Sequence, residues 1–226
     1  VVAIIIIAAA AYLLLNVKAK PYTVSDEGIL SYGARPAANF TIALYNETDI
    51  AKIYKVVFWS RDRNIYGLLS IPKNGKPPYT AFILLPANSI PKEEEQKWIG
   101  IDLNKKGYAA LSLDQRGIGE TGEVFLNANM EFSKFKNGEE PEQYKMFHDA
   151  LAAFDVLSSS SGSNPDSAAL GAINRSAIYM AGESMGGRVA IIAGAMEPRV
   201  TGVIGISTGG YGRMENSDYM TKLYVR

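Results

Sequence analysis

The sequence predicts an α/β fold: a mostly parallel sheet with helices on both faces, opened by an N-terminal antiparallel hairpin. Three observations carry that prediction. Short, continuous apolar runs of strand length alternate with segments of helical period, the pattern of buried parallel strands and their crossover helices. Two β-rich runs joined by a charged turn come before them, which is a hairpin signature. The chain has 226 residues, 47% of them hydrophobic and 20% charged, enough for one large domain with its own core.

Taken in order, Val1 to Val17 carry no charge, and ten of the seventeen are Val, Ile or Leu. At roughly 0.3 to 0.6 kcal/mol each near a bilayer centre, these favour insertion by about 3 to 6 kcal/mol. As a helix the segment spans about 26 Å, against a hydrocarbon core of roughly 30 Å. We expect a transmembrane helix over residues 1–17, an N-terminal membrane anchor or signal segment. A cleaved secretory signal, with Val17-Lys18-Ala19 as a loose cleavage site, is the alternative. Asn39-Phe40-Thr41, Asn46-Glu47-Thr48 and Asn174-Arg175-Ser176 fit the glycosylation acceptor pattern and suit a membrane-anchored domain on the extracytoplasmic side.

Residues 18–50 read as a tether, broken by Pro21, Gly28, Gly33 and Pro36, that leads into a short first strand at Phe40 to Leu44. The α/β domain is expected over residues 51–226. Ile53 to Trp59 and Ile65 to Ile71 form the hairpin around Arg61-Asp62-Arg63-Asn64. Thr80 to Leu85 is a fully apolar strand, and Pro91 to Lys106 a helix stopped by Gly107. Tyr108 to Leu113 is another strand. Pro141 to Leu157 is a helix whose Tyr144, Phe147, Leu151 and Phe154 share one stripe. Ser158 to Asp166 is a polar loop, Ala177 to Ala181 a strand, Met185 to Met196 a helix and Val200 to Ser207 a last strand.

Composition excludes several functions. Twenty-three Lys and Arg balance twenty-three Asp and Glu, so no positive field gathers nucleic acid. There is no cysteine, hence no disulfide, thiolate nucleophile or thiolate metal site, and the single histidine argues against zinc. Gly117-Ile118-Gly119-Glu120-Thr121-Gly122 spells a dinucleotide fingerprint, but three residues separate it from its strand and no second strand ending in an acid follows. No cofactor or metal is expected.

The segment that carries chemistry is Ala181-Gly182-Glu183-Ser184-Met185-Gly186-Gly187. It places G-x-S-x-G between a predicted strand and a predicted helix, the context a nucleophile elbow requires. The turn must be sharp, and Gly182 and Gly186 clear the space for it. Ser184 is then the candidate nucleophile. The Met185 N–H, at the start of the following helix, is the first candidate to stabilise developing negative charge.

On these residues the chain resembles the α/β-hydrolase superfamily, in particular its dienelactone hydrolase and prolyl-oligopeptidase-like branches, over about residues 51–210. Tyr66 to Pro72 looks like their second strand, and Gly107 to Glu120 is similar to their fourth strand and its exit turn. The resemblance implies a serine hydrolase that cleaves an ester, or an amide or peptide bond, through an acyl-enzyme on Ser184. It implies a small-molecule or peptide substrate. It also implies a second oxyanion N–H in the loop Leu85-Pro86-Ala87-Asn88-Ser89, assigned to Asn88 with Ala87 as neighbour.

Family order places the acid and then the histidine after the serine, and no histidine follows Ser184. His148 precedes it, on a helix, and reads as a flank residue. Asp149 beside it reads as structural, and Asp114 and Arg116 as ties of the turn after their strand. Glu197, Glu215 and Asp218 are the only acids after Ser184, and none follows a recognisable further strand. At thirty or more residues per strand–helix–strand unit, about sixty or more residues are expected beyond Arg226. The expectation is therefore a C-terminally truncated hydrolase domain, inert alone, whose triad is completed past the chain end. The alternative is a non-catalytic binding domain that keeps the elbow without a base.

Overall fold

The structure is a computed structural model that describes residues 21–122, 124, 127–159 and 165–208. The expected anchor at residues 1–17 and the segment Tyr211 to Arg226, with Glu215 and Asp218, lie outside the described residues. Among the described residues no helix is long and apolar enough to cross a membrane.

The chain divides into two compact units, Val1–Gly33 and Ala34–Arg226. In the first, β1 (Tyr22–Val24) and β2 (Leu30–Tyr32) pair antiparallel, with Tyr22 opposite Tyr32. Their turn is closed by the Gly28 amide on the Ser25 carbonyl at 2.9 Å and the Ile29 amide on Ser25 Oγ at 3.2 Å. A stretch expected to be featureless tether thus contains a hairpin.

The second unit is built on β3 (Phe40–Glu47), β4 (Ala51–Ser60), β5 (Arg63–Pro72), β6 (Tyr79–Leu85), β7 (Ala109–Leu113), β8 (Ile173–Glu183) and β9 (Gly202–Ile206), in the spatial order β3-β4-β5-β7-β6-β8-β9. β3, β4, β5 and β7 pair antiparallel in that order; β7, β6, β8 and β9 pair parallel. Only β3 and β5 therefore run against the other five strands, which all point their C-terminal ends toward one edge. β3, within the residues read as tether and first strand, belongs to this sheet, and the second compact unit runs from Ala34.

Helices cover both faces, and strand alternation decides which residues they meet. Leu84, Ala110 and Ala181 form one cluster with Phe82 and with Ile99 and Leu103. The last two come from a helical stretch made of α1 (Lys92–Glu95), a π turn (Gln96–Gly100) and α2 (Ile101–Lys105). Leu85, one residue on and so on the opposite face, meets Met146. Met146 belongs to α4 (Glu142–Ser158), whose Tyr144, Phe147, Leu151 and Phe154 are all buried, as their stripe predicts. α5 (Met185–Met196) follows β8. α3 (Ala128–Lys136), which precedes α4, is started by Asn127, whose side chain accepts from the Asn129 and Met130 amides.

Candidate active site

The candidate site lies at the C-terminal edge of the parallel strands, where β8 turns into α5. Ser184 occupies that turn at φ 52° and ψ −114°, a strained conformation for a residue with a side chain, and it is exposed. Its amide donates to the Ile206 carbonyl at 2.9 Å, so β9 holds the turn in place. Tight packing explains the glycine after it. A Cβ on Gly186 would lie 2.5 Å from both the Leu85 carbonyl carbon and the Pro86 carbonyl oxygen, and nearer still to the Leu85 oxygen. The first turn of α5 is thus pressed against the end of β6. Met185 opens that helix, where an N–H has no intrahelical acceptor and faces outward from the positive end of the dipole.

The loop after β6 is fixed by its carbonyls. The Ala87 carbonyl accepts from the Ile90 amide at 3.2 Å, closing a turn in which Asn88 is exposed and Ser89 takes φ 69°. Each carbonyl that is held fixes the opposite direction for the N–H of the same peptide, here that of Asn88. The Pro86 carbonyl accepts from Gln115 Nε2, a side chain arriving from the end of β7. Register places Leu85 beside Gly182, so this loop and Ser184 leave the sheet side by side.

Asp114 then ties the loop's far end. It accepts from the Lys92 amide and from Lys92 Nζ, both at 2.8 Å, and from the Glu120 amide at 2.9 Å. Lys92 is only 1% exposed. Burial works against its charge, but the hydrogen bonds it donates to Asp114, Glu93 and Glu120 outweigh it and hold its pKa above the ordinary lysine value. The glycine-rich run after β7 serves this tie: a Cβ on Gly119, at φ 52°, would sit 2.5 Å from Asp114 Cγ. The fingerprint-like spacing is explained by a chain that wraps a carboxylate.

Arg116 is buried and fully engaged. Its guanidinium donates to Asp149 at 2.7 and 3.1 Å, to Asp62 at 2.7 Å, to Glu142 at 3.1 Å and to the Ser60 carbonyl at 3.1 Å. His148, with Nδ1 2.9 Å from Ser60 Oγ, is buried on α4. Burial, reinforced by Arg61 and Arg35, pushes its pKa from 6.5 down to about 4, so it is neutral at pH 7. Glu197 is held by Arg199 and Arg35; those hydrogen bonds, the Arg199 one foremost, bring its pKa down to about 2. Neither side chain is brought to Ser184.

Two residues at this edge were invisible in the sequence. Gln115 is one, since its partner is a main-chain group. Glu95 is the other: it is 6% exposed, and burial, with the Glu183 carboxylate second, lifts its pKa from 4.5 to about 7. Glu183 immediately precedes Ser184 and is exposed. A carboxyl that exchanges its proton near pH 7 thus lies within electrostatic reach of Glu183, on the helix that the β6 loop feeds. Among the described residues no cluster of ligating side chains could hold a metal ion.

Comparison with protein-family models finds no match. Comparison with curated protein sequences finds none either. Solved structures do match. One assigned as an acetyl xylan esterase from Bacteroides fragilis superposes with a TM-score of 0.61 at 14% identity over 74% of this chain and 48% of its own. Acetyl xylan esterase 1 from Thermoanaerobacterium sp. gives 0.55 at 17% identity over 75% and 53%. A glucuronoyl esterase from Solibacter usitatus gives 0.55 at 14% over 81% and 54%. The chain therefore shares the fold of these structures. It spans about half the length of these structures.

Proposed function

We propose that the protein is a serine hydrolase that cleaves an ester through an acyl-enzyme on Ser184. The observation that carries this reading is the elbow: an exposed serine at φ 52° between a parallel strand and a helix, with glycine packed against the neighbouring strand end. The esterase names of the similar structures favour an ester as the bond. In the proposed reaction the Ser184 hydroxyl loses its proton to a base while its oxygen attacks the substrate carbonyl. The Met185 N–H, with a second N–H of the β6 loop at Asn88 or Ala87, stabilises the tetrahedral oxyanion. Collapse expels the alcohol, protonated by the same base, and water releases the acid from Ser184. The acid and the histidine of the triad are supplied from outside the described residues.

A second reading is a non-catalytic binding domain that retains the elbow. It is favoured by one observation: His148 bonds Ser60 and Glu197 is held by two arginines, so neither serves Ser184. A fluorophosphonate probe applied to the full-length protein separates the two. The hydrolase reading expects labelling that Ser184→Ala abolishes; full-length protein that stays unlabelled supports the binding domain. We further propose that residues 1–17 anchor the domain to a membrane with the site on the extracytoplasmic side. Extraction of the full-length protein by alkaline carbonate rather than detergent would refute that anchor.

A further inference from the structure

Gln115 presents an unusual combination. The residue is 5% exposed, its Nε2 donates to the Pro86 carbonyl, and its Oε1 is buried with no hydrogen-bond partner among the described residues. The orientation is forced by chemistry: a carbonyl can only accept, so the amide nitrogen must face Pro86 and the oxygen must face away. Gln115 lines a small pocket with Ile65, Leu85, Leu113 and Met146 and with Asp114 and Asp149, and an apolar side chain of the same size would carry no such desolvation cost. The glutamine is thus a net burden locally, and the Pro86 bond is what it supplies in return.

We infer that Gln115 is a positioning residue for the oxyanion loop. A peptide unit is planar and trans, so holding the Pro86 carbonyl fixes the direction of the Ala87 N–H on the other side of the same plane. The same oxygen also faces Gly186, 2.5 Å from where a Cβ would be. Pro86 is therefore gripped between Gln115 at the end of β7 and the first turn of α5. Three neighbouring strand ends, β7, β6 and β8, are registered through one carbonyl. This inference rests on the proposed hydrolase function for its catalytic consequence but not for its geometry.

The variant that tests it is Gln115→Met in the full-length protein, which keeps the volume and removes the donor. It trades one buried unpaired oxygen, Oε1, for another, the Pro86 carbonyl, so the melting temperature should stay within a few degrees of wild type. With its donor gone, the Pro86–Ala87 peptide is no longer held in one orientation. Labelling of Ser184 by a fluorophosphonate, and kcat for an aryl ester with KM unchanged, should then fall between about tenfold and a hundredfold. A merely structural glutamine would lower the melting temperature and leave kcat alone. In parallel, NMR of the wild-type protein should show a scalar coupling across the bond from Gln115 Nε2–H to the Pro86 carbonyl, and Gln115→Met should move the Ala87 amide resonance. Wild-type labelling rate and kcat in Gln115→Met overturn the inference, as does absence of the coupling. If the wild type itself does not label, the hydrolase reading fails, and the coupling and the Ala87 shift alone uphold or overturn the positioning role.

Discussion

Gly186→Ala is the sharpest test of how the elbow is packed. The added methyl would lie 2.5 Å from the Leu85 carbonyl carbon and the Pro86 oxygen, where carbon and oxygen normally approach no closer than about 3.2 Å. The atoms in the way are backbone, so no rotamer change relieves the overlap, and α5 and the β6 loop must separate by on the order of 1 Å. Overpacking of this kind costs about 3 kcal/mol or more. For a domain of this size that is a fall in melting temperature of about 6–12 °C. Displacing the loop by about 1 Å also misaligns its N–H groups and should cost about a hundredfold in fluorophosphonate labelling. Gly171→Ala is the control, since nothing lies within 4 Å of its Cβ position and its φ is not positive. It should be neutral or stabilising by about 0.4–1 kcal/mol. Thermal melts and labelling rates of both variants decide the matter. A Gly186→Ala protein that melts and labels like wild type would refute the packing argument.

Two further predictions concern protonation. The Glu95 carboxyl is lifted from 4.5 to about 7, so the folded state binds the extra proton, and the stability this confers is present below pH 4.5 and lost as pH rises through 7. Glu95→Gln should match wild type near pH 4.5 and exceed it by up to about 3 kcal/mol at pH 8.5 in urea unfolding; a less stable variant at pH 8.5 would count against the burial and the Glu183 repulsion together. His148 is displaced the other way, from 6.5 down to about 4, so the unfolded chain takes up the proton first and stability falls as pH drops from 6.5 to 4. His148→Asn should remove about 3 kcal/mol of that acid dependence, and identical pH profiles for variant and wild type would show that the imidazole is not held neutral.

How much of this was legible in the sequence varied with the kind of signal. Strands buried on both faces and helices with one apolar stripe announce themselves: α5 starts and stops at the expected residues, Met185 and Met196, and β4 and β5 form the expected hairpin, with Arg61 and Asp62 as its turn and Arg63 and Asn64 already in β5. β3 was under-read because it is an edge strand in which Ile42 alone is buried, and Asn46 and Glu47 look like a turn. β1 and β2 are three residues each, too short for a period to show. α3 was missed because Phe-Ser-Lys-Phe-Lys carries little amphipathic contrast and its start depends on one capping side chain. At the candidate site, the sharp turn at Ser184 was legible because local chain geometry demands glycines around it. Lys92 and Glu95 were not, since a Lys-Glu-Glu-Glu run reads as a solvated face until partners 22 residues away at Asp114, and farther on at Glu183, come to meet it.

The buried charges at this edge show what the fold spends polar groups on. A buried ion pair seldom adds net stability over an apolar pair of the same volume, yet breaking one is costly because it strands a charge. Lys92–Asp114 and Arg116–Asp149 therefore make poor glue and good gauges: few arrangements of the loops satisfy every donor and acceptor at once. Asp114 fixes the start of α1 and the turn at Glu120, Arg116 fixes the β4–β5 turn at Asp62 against α4, and Gln115 between them fixes Pro86. Three consecutive residues after β7 thus set the positions of the loop after β6, the turn at Glu120 and the β4–β5 turn. The proposed nucleophile, on its strained turn, would gain from such an arrangement, because the N–H groups that would face a developing oxyanion must be held in place before the charge appears.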